Sequence, residues 1–317
     1  MSEKRFHPLE RFLLATPVPF LMSGKDFFAN RYQKLGWKLE EASARQAIRI
    51  NETNAKSKGL VERLHSLGLE LAKVPFLRSG YWVGKSRVSA GATAEYLLGL
   101  YSIQEAAAQI PATLFSGLKS KMVLDGCAAP GGKTIQLADL MGNNGSIVAL
   151  DINKKRLVVL ANHLERCHVR CVAVYNSDAR RASGFKLRFD RILLDVPCSG
   201  NFASDPEWFH RRTLADIEHN AKMQREILTE AVECLAPDGE IVYSTCSLEP
   251  EEDELNMDWA VKTHGLYIQK VDCPGSDGLT EVFDQKLHPS VARSRRIWPG
   301  NTQGFFVCKL KRVEGQP

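Results

Sequence analysis

Two cysteines stand where a chain can use a thiol for chemistry. Cys198 lies in Leu193-Leu194-Asp195-Val196-Pro197-Cys198-Ser199-Gly200 and Cys246 in Val242-Tyr243-Ser244-Thr245-Cys246-Ser247. Each follows an apolar, β-type run by one or two residues. That spacing places both thiols where parallel strands end at their carboxyl edge, the edge at which open α/β sheets hold ligands. A third loop, Asp125-Gly126-Cys127-Ala128-Ala129-Pro130-Gly131-Gly132-Lys133-Thr134, follows another such run. Its glycines let backbone N–H groups approach a ligand at the start of a helix. Three strand-end loops on one edge predict a cofactor site with a nucleophile beside it.

The elements that must position these loops are readable from Met122 onward. Apolar runs predict strands over 122–126, 146–150, 169–175, 189–196, 240–244 and 305–310. Helical spacing predicts helices over 133–141, 154–166, 213–235 and 251–263. The longest helix is stopped by Pro237-Asp238-Gly239. Repeated β-α-β implies a parallel sheet covered on both faces. Residues 1–120 read differently: short helices between Arg5 and Tyr32, broken by Pro17 and Pro19, then a small β-α-β unit over 47–51, 58–67 and 69–74. The expected fold is α/β, a doubly wound Rossmann-like domain over 111–317 behind a smaller α+β region over 1–110.

The glycine-rich loop admits two ligand classes. A phosphate loop of the Walker type needs glycine five residues before Gly132, and residue 127 is cysteine. The alternative is an adenosyl crevice. Asp151 ends the next strand, at the distance where an acidic residue meets a ribose diol. Asp178 ends the third strand, suited to an adenine amino group, and Asp195 ends the fourth. Four strand-end carboxylates (Asp125, Asp151, Asp178, Asp195) suit a cationic, hydroxyl-rich ligand better than a triphosphate. S-adenosyl-L-methionine has that chemistry. Taken alone, any single aspartate is better explained by helix capping; the four in register are not.

Composition bounds the rest. The 317 residues are 44% hydrophobic and 25% charged, as in a soluble globular protein. No apolar run approaches a membrane span, and Met1–Pro8 does not resemble a signal peptide. The eight cysteines show no CxxC pair and no zinc spacing, so the expectation is a reducing cytoplasm, no metal and no membrane. The net charge of +5 hides an asymmetry. Residues 1–120 hold 17 Lys/Arg against 10 Asp/Glu, residues 285–313 hold seven against none, and residues 121–284 hold 18 against 26. Basic ends suggest a polyanionic partner, or else merely solvated surface.

These motifs resemble the Sun-type (Nol1/Nop2/Sun, also called Fmu) RNA cytosine-C5 methyltransferases. The matching stretches are the 125–134 loop, Ala149-Leu150-Asp151, Asp195–Gly200, Tyr243–Ser247 and Gly304-Phe305-Phe306, with Arg49-Ile50-Asn51 and Tyr101–Ala107 upstream. The resemblance spans roughly residues 45–312 and is of a compact archaeal or bacterial kind. Two departures bear on the choice of RNA. Asn201–Phe209 lacks a second glycine common in bacterial relatives, and the N-terminal segment shows no room for an inserted RNA-binding module.

The resemblance implies S-adenosyl-L-methionine as methyl donor and a cytosine in RNA as acceptor, with transfer RNA the first expectation and ribosomal RNA the next. Cytosine C5 is a poor nucleophile until a thiolate adds to C6. Lys133 and the sulfonium would lower the thiol pKa, and Asp195 would stabilise charge at the N3/N4 edge. Physical reasoning alone leaves open which thiol attacks. The resemblance assigns attack to Cys246 and product release to Cys198; DNA cytosine-C5 methyltransferases use the Pro-Cys thiol instead. The expected catalytic set is Cys246, Cys198, Asp195 and Lys133. The expected cofactor set is Cys127, Ala128, Ala129, Pro130, Gly131, Gly132, Lys133, Asp151, Arg156, Asp178 and Asp195, with Cys127 chiefly a packing residue. RNA contacts are expected at Arg293–Trp298 and Trp208–Arg212, where arginines adjoin aromatic rings. Monomer is the default. Two other functions stay open: a DNA cytosine-C5 methyltransferase, and an RNA-binding assembly factor with vestigial catalysis. The intact Lys133, Asp195, Cys198 and Cys246 set argues against the latter.

Overall fold

The computed structural model describes residues 22–40 and 42–312. Of the short helices expected between Arg5 and Tyr32, the part up to residue 21 lies outside these. Helix α1 (Lys25–Lys34) precedes a four-stranded sheet built from β1 (Ala47–Ile50), β2 (Leu71–Lys73), β3 (Gly80–Val83) and β4 (Tyr101–Ile103). Helices α2 (Leu60–Ser66) and α3 (Ala94–Leu97) connect these strands. The sheet order is β2-β3-β1-β4, and every adjacent pair is antiparallel. The β-α-β unit read from sequence is therefore split: β3 lies between its two strands. The pattern conceals this because pairing is decided by what lies alongside rather than along the chain.

The larger domain is led by α4 (Ile110–Thr113). Its parallel strands are β5 (Lys121–Asp125), β6 (Gly145–Asp151), β7 (Val172–Asn176), β8 (Phe189–Asp195) and β9 (Leu235–Thr245). Helices α5 (Gly132–Met141), α6 (Lys154–Arg166), α7 (Trp208–Arg211), α8 (Leu214–Cys234) and α9 (Glu254–His264) follow in chain order. Beyond β9 come β10 (Leu266–Gln269), β11 (Ser276–Asp277), the β12–β13 hairpin (Glu281–Val282, Gln285–Lys286), β14 (Arg295–Ile297) and β15 (Phe305–Arg312). The main sheet runs β11-β14-β15-β9-β8-β5-β6-β7, with β10 also on β15. It is mixed, because β15 pairs antiparallel with β9 and carries β10 and β14 antiparallel in turn. The central strands are apolar throughout since both faces are covered: Val123, Leu124, Ile147–Leu150, Ile192–Leu194 and Ile241–Tyr243 are all buried.

The chain leaves β5 toward β6 and β7, then returns to β8 on the other flank of β5. This reversal opens a crevice at the carboxyl ends of β5 and β8. Caps fix where the flanking helices start. Thr213 accepts from the Asp216 N–H while Asp216 accepts from Thr213, a reciprocal box that opens α8. Asn153 accepts from Lys155 and Arg156 to open α6.

The upstream motifs dock the two sheets. Arg49, 3% exposed, reaches Gln104 at 3.0 Å and Asp139 on α5 at 3.2 Å. Asp139 also accepts from Thr53 N at 2.8 Å and Thr53 Oγ1 at 2.6 Å. The same logic governs the basic C-terminal segment. Lys309 and Lys311 pair with Glu240 at 3.0 and 2.8 Å, a carboxylate that also holds Arg191. The acidic middle of the sequence is thus partly the counter-charge of its basic end.

Candidate active site

The three loops meet at the switch point. Parallel pairing of β8 with β9 sets Asp195 beside Ser244. Lys133, in the first turn of α5, donates to Asp195 Oδ2 at 2.7 Å, and Ser244 donates to Oδ1 at 2.9 Å. Each carboxylate oxygen keeps a further lone pair for a ligand. The Lys133 ammonium also sits 5.4 Å from the centre of the Phe305 ring, which brings the Gly304-Phe305-Phe306 motif into the site.

The two thiols are 3.2 Å apart. Both are free and half-buried, and they are not equivalent. A hydrogen bond from Cys198 holds the Cys246 thiol below its ordinary range, against its burial; Asp195 pushes it up and Lys133 down. Cys198 is pushed well above that range, first by the same hydrogen bond and then by burial. The contact favours ionisation of Cys246 over that of Cys198, with Cys198 S–H as the donor in that arrangement. Asn201 Nδ2 donates to the Cys246 carbonyl at 2.7 Å and to the Gly304 carbonyl at 3.1 Å, so the departure after the Pro-Cys motif is itself a tie across the site.

Beside the thiols runs a crevice of about 300 Å³. Cys127, Ala129, Pro130, Asp151, Arg156, Asp178, Asp195, Cys198 and Cys246 all line it. Asp151 accepts from Ala129 N at 3.2 Å and Asn153 N at 2.8 Å, and lies 3.6 Å from Arg156. Arg156 in turn donates to the Ala129 carbonyl. Asp178 accepts from the Arg180 backbone at 2.9 Å and is clasped by the Arg180 guanidinium, whose hydrogen bonds hold it below the usual carboxylate range. It both caps a helical turn and faces the crevice. Cys127 is pushed well up by burial, and its thiol is not an activated one.

Four expected cofactor residues do not line this crevice. Ala128 packs into a cluster with Ile135, Ala149 and Leu160. Gly131 is buried with φ +108°, and a Cβ there would meet Leu160 Cδ1 at 2.6 Å; it shapes the turn by close approach to α6. Gly132 faces Gln104, and Lys133 turns toward Asp195. Asp125 lies behind the loop, 1% exposed, accepting from Thr134 at 2.7 Å. Burial lifts its pKa to about 7.

The crevice also uses residues that no motif announced. Ile152, Arg180, Met223 and Ile227 line it. Met223 and Ile227 are one turn apart on α8, a spacing that any amphipathic helix shows. Ile152 had a signal in the sequence, an isoleucine standing between the strand-end Asp151 and Asn153; the structure leaves it 68% exposed.

Of the two stretches expected to contact RNA, Arg293–Trp298 is buried or half-buried, whereas Trp208–Arg212 is mixed, with Trp208 and Phe209 buried and His210 and Arg211 exposed. Arg296 is 1% exposed, with Glu254, Asp253 at 3.1 Å and the Leu248 carbonyl at 2.9 Å as partners. Arg295 pairs with Asp277 and Arg293 donates to the Ile268 carbonyl. Trp208 and Phe209 are buried against Phe28 and Tyr32, while Arg212 donates to the Ser199 carbonyl at 3.0 Å. Arginine beside an aromatic ring marks a buried cation–π contact here as readily as a nucleic-acid surface. Among the described residues no group of His, Cys, Asp and Glu is placed to hold a metal ion, and no helix is long and apolar enough to cross a membrane.

Comparison with known proteins agrees with this architecture. The chain is 34% identical over 275 residues to human 28S rRNA (cytosine(4447)-C(5))-methyltransferase, covering 84% of this chain and 34% of that protein. It is 32% identical over 313 residues to ribosomal RNA small subunit methyltransferase F of Escherichia coli, covering 95% of this chain and 62% of the relative. The chain therefore spans about a third to three fifths of the length of these curated relatives. A solved methyltransferase homologue from Pyrococcus horikoshii superposes with a TM-score of 0.82 at 31% identity, covering 93% of this chain and 97% of that one. The N-terminal domain of 16S rRNA methyltransferase RsmF matches residues 16–106. With residues 112–311 matching the family model of 16S rRNA methyltransferase RsmB/F, this chain belongs to the RsmB/F methyltransferase family.

Proposed function

We propose that the protein methylates C5 of a cytosine in RNA, with S-adenosyl-L-methionine as donor and Cys246 as the covalent nucleophile. The observation that carries this reading is the unequal thiol pair, 3.2 Å apart beside the Lys133–Asp195 contact. A thiolate needs a donor that ionises it without consuming it, and Cys198 S–H is one. Cys246 would add to C6, and Asp195 would hold the N3/N4 edge where charge develops. Cys198, kept protonated, would assist release of Cys246 after a base takes the C5 proton. The donor supplies an electrophilic methyl group when bound. The crevice fits it chemically: Asp151 suits a ribose diol, exposed Ile152 with Met223 and Ile227 an adenine face, and Asp178 an exocyclic amine.

The names of the human and Escherichia coli relatives both specify ribosomal RNA, which favours ribosomal over transfer RNA as substrate. Residues 1–110 would supply RNA contacts beside a catalytic domain over 111–317. The reducing cytoplasm suits a site that works through free thiols. The test is transfer from labelled S-adenosyl-L-methionine to ribosomal and transfer RNA by wild type, Cys246→Ala and Cys198→Ala. Inactive Cys246→Ala with a covalent protein–RNA adduct accumulating in Cys198→Ala supports the roles. An adduct that forms in Cys246→Ala reverses them, as in the DNA enzymes.

A further inference from the structure

Behind the two thiols lies a buried carboxylate that bonds the residue after Cys198 and sits beside the residue after Cys246. Glu252 is 0% exposed. It accepts the Ser199 N–H at 3.0 Å and the Ser199 hydroxyl at 2.7 Å, and that hydroxyl is 3.1 Å from Ser247 Oγ. Ser199 directly follows Cys198, and Ser247 directly follows Cys246. Side-chain hydrogen bonds from Ser247 and Asn220 complete the ring. All of these partners are neutral donors; burial pushes the Glu252 carboxyl up and their hydrogen bonds pull it back down. The backbone of Glu252 is held as well, its carbonyl accepting from Tyr243 OH at 2.6 Å.

The reason such a clamp is needed lies in the sheet. Strands β8 and β9 pair in register only as far as Asp195 and Ser244. The cysteines stand three and two residues further on, beyond the ladder, where side chains must hold one loop against the other: Asn201 on the Cys246 carbonyl and Glu252 on Ser199. An S–H···S contact is lost if either loop moves by about an ångström. We propose that Glu252 is a positioning residue: by clamping Ser199 and Ser247 together it holds the Pro-Cys and Thr-Cys loops so that Cys198 can donate to Cys246. This deepens the methyl-transfer reading and takes its meaning from it.

Charge and position make opposite predictions. The groups facing Cys246 are Cys198 and Lys133, which favour its ionisation, and Asp195 and Glu252, which oppose it. Removing the Glu252 charge alone would ease ionisation. Losing the clamp would remove the Cys198 hydrogen bond and hinder it. The experiment is alkylation of Cys246 by iodoacetamide in the full chain, without RNA or methyl donor, read by peptide mass from pH 6 to 9. Wild type, Glu252→Gln, Ser199→Ala and Glu249→Gln are compared. Glu249 is equally buried but serves Tyr32 and Arg31. We expect Glu252→Gln to slow alkylation at pH 7 roughly tenfold, the effect of about one pKa unit. Ser199→Ala should move the profile the same way by less, and Glu249→Gln should leave it in place. Faster or unchanged alkylation in Glu252→Gln overturns the proposal, as does an equal slowing in Glu249→Gln. If Glu252→Gln does not fold, an unmoved Ser199→Ala profile overturns it. Because no RNA enters the assay, these shifts without methyl transfer by wild type would sink the functional reading and leave the clamp standing.

Discussion

Arg296 offers the sharpest test of how this site is built. Its guanidinium is 1% exposed, donates through Nε to Glu254 at 3.0 Å, lies 3.1 Å from Asp253 and donates to the Leu248 carbonyl at 2.9 Å. Arg296→Met keeps most of the side-chain volume and strands two buried carboxylates. Breaking a buried pair from one side costs about 3–5 kcal/mol, a large share of the roughly 5–15 kcal/mol that holds a domain folded. Adding Glu254→Gln removes one stranded charge, so the double variant should regain about 1–2 kcal/mol. The sign with pH follows. Burial already holds Asp253 well above the usual carboxylate range, and without Arg296 it rises further. An acid with a raised folded pKa is stabilising when protonated and loses that contribution as pH rises through the folded value. The deficit should therefore shrink toward pH 5 and grow toward pH 8. Urea unfolding at the two pH values measures it. A deficit under about 1 kcal/mol, typical of an exposed pair, would refute the reasoning. So would normal stability with weakened RNA binding, which would restore Arg296 to the RNA surface that its sequence context suggested. Activity should fall too, since Asp253 accepts from Thr245 at 2.6 Å, directly before Cys246.

Asp125, with its pKa lifted to about 7 by burial, should destabilise the fold as pH rises from about 4 through 7; Asp125→Asn should melt higher than wild type in thermal scans by a margin that widens from pH 5 to pH 8, and a constant margin would refute this. Gly131→Ala meets Leu160 Cδ1 at 2.6 Å in a left-handed backbone, so it should cost about 1–3 kcal/mol in urea unfolding; an unchanged midpoint would mean that the loop relaxes freely. RNA binding should weaken with a linear slope in log salt. A flat response from 50 to 200 mM would remove the electrostatic argument for residues 1–110.

Much of the larger domain is legible in the sequence for simple reasons. Strands buried on both faces must be apolar along their length, so Ile147–Leu150 and Ile192–Leu194 stand out against their surroundings. Helix α8 announces its start through Thr213 and Asp216, because a cap uses neighbours in the chain. The helix expected over 251–263 begins later, at Glu254, since residues 249–253 carry side chains committed elsewhere: Glu252 to Ser199, Asp253 to Thr245. Strands β3 and β4 are no shorter than β1 and β2, which flank a readable helix; with no such helix beside them, three or four residues carry too little periodicity to read.

Local order along the chain, then, was enough to place the thiols and carboxylates at strand ends, because strand periodicity, caps and glycine turns are properties of consecutive residues. Resemblance added the chemistry those groups serve. Tertiary structure alone decided which charges are free. Arg296, Lys309 and Lys311 look like a basic surface in the sequence, and each finds its carboxylate across the sheet or at the start of a distant helix. It also set Cys198 against Cys246, since that depends on 3.2 Å between residues 48 apart in the chain. Distances of that kind are fixed by packing and by clamps such as Glu252, and no local pattern encodes them.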